Sequence, residues 1–448
     1  MGDRPVDFQL FGTDGIRGRV GEAPITPDLC LKLGWVIGRE VKQRNGQYVL
    51  VGKDTRISGY LLESLFEAGL IAAGVDVGLL GPFPTPGVAF LTRNSNADLG
   101  VVISASHNPY QDNGFKFFDQ NGRKLSDSQE SSIADSMNLP ITTVDAEELG
   151  RAKRPANTRE QYIDFCKSTV NPDLDLTNFR VVLDCANGAC YSLAPTIFRE
   201  FGAEVYSIGT RPNGFNINQH CGSTALVAIQ EEIQKRDADI GFALDGDGDR
   251  VIAIAADGQI LNGDRILYGL AKMQQLNGTL EGGVVGTDMS NLGLERSLGK
   301  LGIPFSRSAV GDRHVSRRLT ELGWGLGGET SGHILCHRST TTGDGIISAL
   351  QIVQASWRQK CPFSELVADM EQFPQVLLNV PSCQPELVVA KSKVMDRVEE
   401  VNRAHNDCYR VLVRPSGTEP VVRVMVEGPD ATLVEQEAQA LANFIQNC

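Results

Sequence analysis

The sequence lacks the segments that carry proteins into or across membranes. No apolar run approaches the ~20 residues that span a bilayer. The first residues, MGDRPVDFQLFGTDG, have neither the basic start nor the apolar centre of a signal peptide, and Val6 stands where a myristoylation signal needs Ser or Thr. We therefore expect a cytoplasmic protein with no membrane partner.

Closely paired cysteines and an excess of positive charge are also absent. The ten cysteines are scattered without a C-x-x-C pair, which predicts reduced thiols that mostly lie in the core. Acidic residues outnumber basic ones, 55 against 42, and give a net charge of −13 with a pI near 5.1. This balance argues against nucleic acid as the main partner.

Three common catalytic signatures are missing or misplaced. The stretch GLERSLGKL has the wrong spacing for a Walker A loop and no hydroxyl after Lys300, so ATP use is unsupported. The G-x-S-x-G elbow of serine hydrolases does not occur at Ser106. GWGLGG (323–328) fits G-x-G-x-x-G, but it follows a helical pattern instead of a strand, and we interpret it as a chance match.

What the chain does contain is a regular alternation of short β-branched runs and helical patterns. YVLVG (48–52) precedes an amphipathic segment, and FRVVLDC (179–185) and DADIGFALD (237–245) repeat the arrangement. Strands separated by helices of about 10–15 residues are typical of βαβ units with a mainly parallel sheet. The sequence thus predicts the α/β class.

Changes in composition divide the chain into four units. The segment 136–158 is polar and contains proline, 251–261 reads as a hairpin before a helix that begins near Asn262, and 373–386 is rich in proline. The predicted domains are 1–155, 156–260, 261–373 and 374–448.

The last unit differs in type from the first three. Its pattern predicts a helix over 387–404, two strands within 409–426 and a final helix over 430–446. We therefore expect a compact tail after three similar units.

Three aspartates alternate with glycines in DGDGDR, directly after the hydrophobic run IGFAL. Anions this close repel one another, so a cation is expected among them. A calcium EF-hand is excluded, because Arg250 and Ala256 occupy the positions that need Gly and Glu. The alternation can aim Asp245, Asp247 and Asp249 at one Mg²⁺ ion. The alternative is a solvated acidic turn.

The stretch ISASHNPYQDNGFKFF (103–118) begins at the end of a predicted strand and continues as a polar loop. Open α/β sheets bind ligands in the loops at the carboxyl ends of their strands, so Ser106 is a candidate reactive group. Serine and asparagine also cap helices and build turns, and the residue chemistry alone leaves both readings open.

The stretch VRPSGTEP in the tail unit has the composition of an anion-binding loop. Arg414 offers a planar fork, Ser416 and Thr418 offer hydroxyls, Gly417 lets the backbone approach, and Arg423 lies close in sequence. An ordinary hairpin turn is the alternative, and the arginines favour phosphate.

Two further glycine-rich stretches carry functional side chains. GGETSGH gathers Glu329, Ser331 and His333, which can hydrogen-bond sugar hydroxyls and exchange protons; a plain turn with a surface histidine is the alternative. FGTDGIRG places Arg17 in a turn flanked by glycines, where a structural function is equally compatible.

Seven stretches, taken in order, resemble the α-D-phosphohexomutase superfamily over essentially the whole chain, and most closely its members that act on amino-sugar phosphates. They are FGTDGIRG, SASHNP with NGFKFF, NINQHCGST, DGDGDR, VGDRHV, GGETSGH and RPSGTEP. The resemblance implies four domains around a central cleft. The first three would hold doubly wound mixed or parallel sheets of similar topology, and the fourth would be a smaller α+β domain.

The resemblance also implies one loop from each domain in the cleft. The first would supply a phosphoserine, matching Ser106, and the second the ligands of one Mg²⁺ per subunit, matching Asp245, Asp247 and Asp249. A phosphate oxygen on Ser106 would complete the metal site. The third loop, GGETSGH, would bind sugar, and the fourth, RPSGTEP, would bind phosphate.

Further residues are expected around the reacting group. Arg250 beside the metal loop would hold the transferring phosphoryl group, Lys116 or His333 would act as base, and Arg17 is the remaining catalytic candidate. The predicted substrate-binding residues are His107, Asn108, Glu329, Ser331, Arg414, Ser416, Gly417, Thr418 and Arg423.

The implied reaction interconverts glucosamine 6-phosphate and glucosamine 1-phosphate and feeds UDP-N-acetylglucosamine synthesis. A sugar 1,6-bisphosphate would be both intermediate and activator, and the family suggests a homodimer. Thr330 and Asp288 depart from the residues usual in the family, which leaves the sugar preference open. The alternatives are a glucose- or mannose-phosphate mutase, a non-catalytic sugar-phosphate-binding protein and a metal-dependent phosphatase.

Overall fold

Four sheets follow one another along the chain in the computed structural model, which describes residues 10–12, 14–404, 408–416 and 420–447. The first sheet consists of β1 (Ile16–Arg19), β2 (Tyr48–Lys53), β3 (Asp76–Pro82), β4 (Leu99–Ile103), β5 (Asp112–Asp119) and β6 (Ala152–Lys153). Its helices are α1 (Pro27–Gln43), α2 (Ser58–Ala72), α3 (Thr85–Asn94) and α4 (Asp127–Ser136), with a 3₁₀ turn at Ala146–Glu148.

The second and third sheets are smaller. The second unit contains α5 (Thr158–Ser168), β7 (Arg180–Asp184), α6 (Leu193–Glu200), β8 (Glu204–Ile208), α7 (Val227–Arg236), β9 (Ile240–Leu244), β10 (Val251–Ala255) and β11 (Ile260–Leu261). The third contains α8 (Gly263–Leu276), β12 (Val284–Thr287), α9 (Leu292–Lys300), β13 (Phe305–Ser308), α10 (Asp312–Leu322), β14 (Leu326–Gly328), β15 (Ile334–Cys336), α11 (Gly345–Gln359) and α12 (Phe363–Leu366).

These three sheets share one four-strand arrangement. The orders β3-β2-β4-β5, β8-β7-β9-β10 and β13-β12-β14-β15 each place three parallel strands beside a fourth, antiparallel strand. The predicted α/β class with similar mixed sheets is therefore confirmed. The connection between the third and fourth strands, such as β4 to β5, occupies the same place in every sheet.

The fourth sheet is antiparallel, with β18 (Val421–Glu427) between β16 (Gln375–Pro381) and β17 (Arg410–Pro415). Its helices are α13 (Pro385–Val389), α14 (Ser392–Ala404) and α15 (Ala431–Gln446). This smaller α+β unit was also predicted.

Two local predictions are wrong. The helix predicted over 387–404 is divided into α13, which packs on β17 and β18, and α14, which packs on β17 and α15. Arg17, predicted in a turn, lies in β1, because Ile16–Arg19 pairs with β5 in antiparallel register.

The cores of the units are connected differently. One buried apolar cluster runs through the first three units and joins residues such as Phe83, Phe242 and Leu350. Other apolar residues of the first unit form a second cluster around Trp35. The fourth unit has its own cluster around Val424. Among the described residues, no helix is long and apolar enough to cross a bilayer.

We expect Gly34→Ala to destabilise the first unit by about 1–3 kcal/mol, because over-packing a filled interior forces the backbone to move. Helices α1 and α2 touch there, and a Cβ atom at Gly34 would overlap the carbonyl oxygen of Phe66. Urea unfolding measures the change.

The matched control is Gly299→Ala, a helical glycine in α9 whose added Cβ would meet no atom within 4 Å. Because alanine favours helix more than glycine does, this variant should be neutral or more stable. Equal destabilisation by both variants would contradict the packing argument.

Candidate active site

Three functional loops occupy the connection between the third and fourth strands of their sheets. Ser106 follows β4, Asp245 follows β9, and Glu329 follows β14 directly. Because carboxyl ends of parallel strands lie at one edge of a sheet, the shared topology presents all three loops in the same way. The contacts below join side chains from these loops.

Ser106 lies at the junction of the first two units. It is completely buried, its φ of 52° is in the left-handed region, and its Oγ donates a hydrogen bond to Asp245 Oδ2 at 2.5 Å. Gly246 is required opposite, because a Cβ there would press on the Ser106 carbonyl oxygen. The predicted reactive hydroxyl therefore contacts the predicted metal loop.

The three aspartates of the metal loop form one buried acidic cluster. Each of Asp245, Asp247 and Asp249 offers a carboxylate oxygen, and these oxygens lie within 4.8 Å of one another. Asp247 Oδ1 and Asp249 Oδ1 are buried and accept no hydrogen bond from the described residues. Hard carboxylate oxygens and unused acceptors fit Mg²⁺. Burial, Asp249 and Asp247 together raise the pKa of Asp245 well above its ordinary value.

Lys116 on β5 supplies positive charge to this cluster. Its Nζ donates to Asp247 Oδ2 at 2.8 Å and to Asp249 Oδ2 at 2.7 Å, and it lies 3.3 Å from Asp14 Oδ2. Burial alone would lower the pKa of Lys116, but the carboxylates of Asp14, Asp247 and Asp249 raise it well above its ordinary value. In this state Lys116 is an ammonium ion and a hydrogen-bond donor.

His333 brings the third unit to the same charges. Its Nδ1 lies 3.6 Å from Asp249 Oδ1, and its Nε2 lies 3.4 Å from Asp312 Oδ2. Burial would lower the pKa of His333, yet the two carboxylates raise it to about 9. The imidazole is therefore protonated at neutral pH and is suited to donate a proton or a hydrogen bond.

Lys124 connects the first and third units beside this histidine. Its Nζ donates to Asp312 Oδ1 at 2.7 Å and to Asp14 Oδ1 at 2.5 Å, and Asp14 also pairs with Arg17. Burial would raise the pKa of Asp14, but the charges of Lys116, Lys124 and Arg17 hold it well below its ordinary value. Opposite charges from separate units thus alternate through the interface.

Arg250 and His107 form a contact across the first two units. Arg250 Nη1 donates to His107 Nδ1 at 3.1 Å, which requires a neutral ring. Burial and the nearby Arg250 and Arg17 lower the pKa of His107 to about 4, in agreement with that assignment. The buried Nε atoms of both arginines have no hydrogen-bond partner among the described residues, so an anion can be bound there.

The other predicted substrate residues have different environments. The Asn108 side chain donates to Asp112 Oδ2 at 3.0 Å within its own loop. Glu329 Oε1 accepts the Gly311 N–H at 2.9 Å, whereas Ser331 is exposed. Of these three residues, Glu329 is buried, Asn108 is half-buried and Ser331 is exposed.

Thr330, the unusual residue in the loop predicted to bind sugar, faces inward. Its Oγ1 donates to Asp264 Oδ2 at 3.0 Å, and Asp264 Oδ2 also accepts a hydrogen bond from the Asn291 N–H at 3.0 Å. Burial raises the pKa of Asp264 to about 6. Thr330 therefore supports the base of the loop 327–333.

Two arginines face each other in the fourth unit. Arg414 on β17 and Arg423 on β18 are direct partners in the antiparallel register. Burial and the charge of Arg423 lower the pKa of Arg414, so a bound anion would relieve a real repulsion. Ser416 is buried beside them. Gly417 and Thr418, also predicted in this loop, lie outside the described residues.

Sequence reasoning missed several residues that build the site. Arg56 and Asp54 hold the Ser106 loop, and Thr85 Oγ1 donates to Asp247 Oδ2 at 2.5 Å. The first two follow β2 immediately, and strand-end position was a usable signal. Asp14 and Asp312 stand inside stretches already noted, but their partners are distant in sequence.

The geometry of the site agrees with the protein families and relatives to which this chain is similar. Models of phosphoglucomutase/phosphomannomutase match it four times: alpha/beta/alpha domains I, II and III at residues 8–140, 160–258 and 262–373, and the C-terminal domain at 377–444. The phosphoglucosamine mutase of Nitrosococcus oceani is 52% identical over 440 residues, covering 98% of each chain. That of Legionella pneumophila (strain Lens) is 51% identical over 437 residues, covering 98% of this chain and 96% of its own.

A solved structure extends the comparison to three dimensions. The phosphoglucomutase/phosphomannomutase family protein of Burkholderia thailandensis superimposes with a TM-score of 0.82 at 25% identity, over 98% of this chain and 97% of its own. The likeness therefore covers all four units.

We expect Asp247→Asn to weaken Mg²⁺ binding by about a hundredfold or more, because it removes one of three charged ligands. Isothermal titration calorimetry with MgCl₂ measures the affinity. The control is Asp257→Asn, an exposed turn residue at the other end of β10, which should bind Mg²⁺ like the wild type. Equal Mg²⁺ affinity in the wild type, Asp247→Asn and Asp257→Asn would contradict the assignment of Asp247 as a metal ligand.

Asp264 predicts a pH dependence of stability. A folded-state pKa of about 6, above the ordinary value of about 3.9, stabilises the folded protein at low pH, and this contribution is lost as the pH rises through 6. The free energy of unfolding of the wild type minus that of Asp264→Asn should fall by about 2–3 kcal/mol between pH 4 and pH 8. Urea unfolding tests this, and a pH-independent difference would refute it.

Proposed function

The chain belongs to the phosphohexomutase family described by the phosphoglucomutase/phosphomannomutase models, and from that premise we propose that it interconverts glucosamine 6-phosphate and glucosamine 1-phosphate. It is an isomerase of the mutase type, whose net reaction changes the position of the phosphate on the sugar. The observation that carries the proposal is the contact between the Ser106 hydroxyl and Asp245, a member of the three-carboxylate cluster.

Asp245, Asp247 and Asp249 would hold Mg²⁺, which when bound supplies Lewis-acid stabilisation of the phosphoryl group. Phosphoryl transfer needs positioning and charge neutralisation more than covalent chemistry. Arg250 and Arg17 are suited to the transferring group, because each presents a buried Nε without a partner among the described residues.

The first transfer moves the phosphoryl group from Ser106 to the sugar. The bond between phosphorus and Ser106 Oγ breaks as O1 of glucosamine 6-phosphate bonds to phosphorus, which forms a 1,6-bisphosphate. The O1 proton passes to a base, and Ser106 Oγ regains a proton. Lys116 and His333 are the candidates for these proton exchanges. Both are cationic in this structure, so each can donate a proton to Ser106 Oγ directly. To accept the O1 proton as a base, either residue must first lose its own proton.

The second transfer reverses this chemistry at the other end. After the bisphosphate turns round, its 6-phosphoryl group returns to Ser106 and glucosamine 1-phosphate is released. Arg414, Arg423 and Ser416 would hold the phosphate that is not reacting, and Glu329 and Ser331 would contact the sugar. The separate apolar core of the fourth unit supports a movement that opens the cleft for this turn.

Several wider expectations belong to the same proposal. A sugar 1,6-bisphosphate would serve as activator by keeping Ser106 phosphorylated, and the product would feed UDP-N-acetylglucosamine synthesis. The four domain ranges, a homodimer, a cytoplasmic location, and the absence of nucleic-acid and membrane partners stay predictions.

The decisive assay compares initial rates with Mg²⁺ and a trace of sugar 1,6-bisphosphate. Glucosamine 6-phosphate, glucose 1-phosphate and mannose 1-phosphate are measured in parallel. We expect a kcat/KM advantage of about a hundredfold for the amino sugar, since one polar contact commonly separates substrates by ~1–3 kcal/mol. Better rates on neutral sugars would make the chain a hexose phosphate mutase, and net release of inorganic phosphate would make it a phosphatase.

Ser106→Ala should abolish turnover while the protein still binds glucosamine 6-phosphate, because the variant removes the oxygen that carries the phosphoryl group. Calorimetric titration with the sugar phosphate gives the binding control. The control is Ser131→Ala, which changes an exposed serine of α4 and should turn over like the wild type. Substantial turnover by Ser106→Ala would end the phosphoserine mechanism.

A further inference from the structure

Arg56, in the connection between β2 and α2, is one of the most deeply buried charged residues of the chain, at 1% exposure. A guanidinium has five N–H donors, and all five are used. Nε donates to Asp54 Oδ2 at 2.8 Å. Nη1 donates to the carbonyl oxygens of Pro109 and Asp112, and Nη2 donates to those of Ser106 and Asn108. No donor remains for a substrate.

Four of these five bonds converge on one loop of seven residues, 106–112. The Ser106 and Asn108 carbonyl oxygens lie 2.9 and 2.8 Å from Nη2, and the Asp112 oxygen lies 3.0 Å from Nη1. The loop therefore folds around a buried cation with its carbonyl groups turned inward. Such a turn needs a planar group with donors in several directions, which lysine cannot provide.

The backbone of Ser106 depends on this arrangement. Residues other than glycine rarely adopt a φ near 52°, so surrounding contacts must hold it. Its carbonyl group accepts the Arg56 bond, and its N–H donates to Ser104 Oγ at 2.9 Å. Ser104 Oγ in turn donates to Asp54 Oδ2 at 2.6 Å. Both backbone polar groups of Ser106 thus lead to the Asp54–Arg56 pair.

The second unit holds the same loop from its other side. Asn218 Nδ2 donates to the Ser106 carbonyl oxygen at 2.9 Å and to the Asn108 carbonyl oxygen at 3.1 Å. These are the two oxygens that Arg56 Nη2 also contacts. The loop is therefore held between an arginine of its own unit and an asparagine of the unit that carries the metal loop.

We propose that Arg56 is a positioning residue that holds Ser106 in its left-handed conformation, with its Oγ on the metal loop, and that Asn218 shares this task across the first two units. The inference rests on the proposed function, because it assigns a purpose to the orientation of the Ser106 hydroxyl. Arg56 acts through the loop and does not touch the sugar phosphate. Small displacements of a reacting group suffice to slow transfer strongly.

The test is a set of variants with a chemical rescue. Arg56→Ala should lower kcat for glucosamine 6-phosphate by about a hundredfold and change KM by less than about threefold, because the substrate contacts are intact. Guanidinium chloride, below the concentrations that unfold the protein, should restore at least about tenfold of the lost kcat. Sodium chloride at equal ionic strength should restore nothing.

Two further variants separate positioning from charge and from general stability. Arg56→Lys keeps the charge but loses the fork, so it should remain nearly as slow as Arg56→Ala. Arg307→Ala is the matched control, since Arg307 is a partly buried arginine that holds the carbonyl oxygens of Thr287 and Ser290 in the third unit. Arg307→Ala should lower the melting temperature, and guanidinium chloride should not raise its kcat.

A readout independent of turnover is the ³¹P resonance of phosphorylated Ser106. In Arg56→Ala it should shift or broaden relative to the wild type and return when guanidinium is added. Asn218→Ala, which leaves Arg56 in place, should show a smaller change of the same kind. If Arg56→Ala does not fold, Arg56→Lys and Asn218→Ala carry the test.

The results distinguish this inference from the proposed function. A wild type that carries phosphorylated Ser106 but interconverts no sugar phosphate refutes the function, while the ³¹P comparison still reports on Arg56. A wild type that is active beside an Arg56→Ala with a kcat within about threefold of it overturns the inference. So does a slow Arg56→Ala that guanidinium fails to rescue and whose ³¹P resonance matches that of the wild type.

Discussion

The architecture depends on the electrostatic balance of three buried carboxylates. Asp245, Asp247 and Asp249 lie at the end of β9 with their oxygens within 4.8 Å of one another, where water cannot screen them. The balancing groups come from other units, with Lys116 from the first and His333 from the third. Docking of the three units and assembly of the reacting centre are therefore one event, and the continuous apolar core beneath holds it together.

The charge balance around the buried carboxylates also explains why the first three units differ in function from the fourth. Ser106, the three aspartates and the cations around them lie on three units that share a core, which suits the proposed transfer because its centre must not shift. The facing Arg414 and Arg423 sit on a unit with a separate core, which touches the third unit through contacts such as Arg410 with the Ser290 carbonyl oxygen. In the proposed mechanism, a fixed centre and a separate phosphate-binding unit would suit a bisphosphate that turns round in the cleft.

Much of this arrangement could be predicted from sequence, because the informative stretches are local. The α/β class, the α+β tail and the acidic loop after β9 follow from periodicity and from residues that adjoin a strand end. The prediction for Arg17 was wrong because neighbours outside its segment decide the structure: Arg17 joins β1 because β5 lies alongside. Arg56 was overlooked, since its partners on the Ser106 loop lie about fifty residues away.

The sequence by itself determined which chemical groups are available and where they stand on their own strands: a serine after β4, alternating aspartates after β9, and a histidine before β15. That is possible because side-chain chemistry, turn preference and strand periodicity act over a few neighbouring residues. The tertiary structure alone decided that Ser106 reaches Asp245, that Lys116 and His333 become cations held by carboxylates, and that Arg56 holds a loop instead of a ligand. Those properties arise from burial and from charges brought together across units, and neither is encoded in a local pattern.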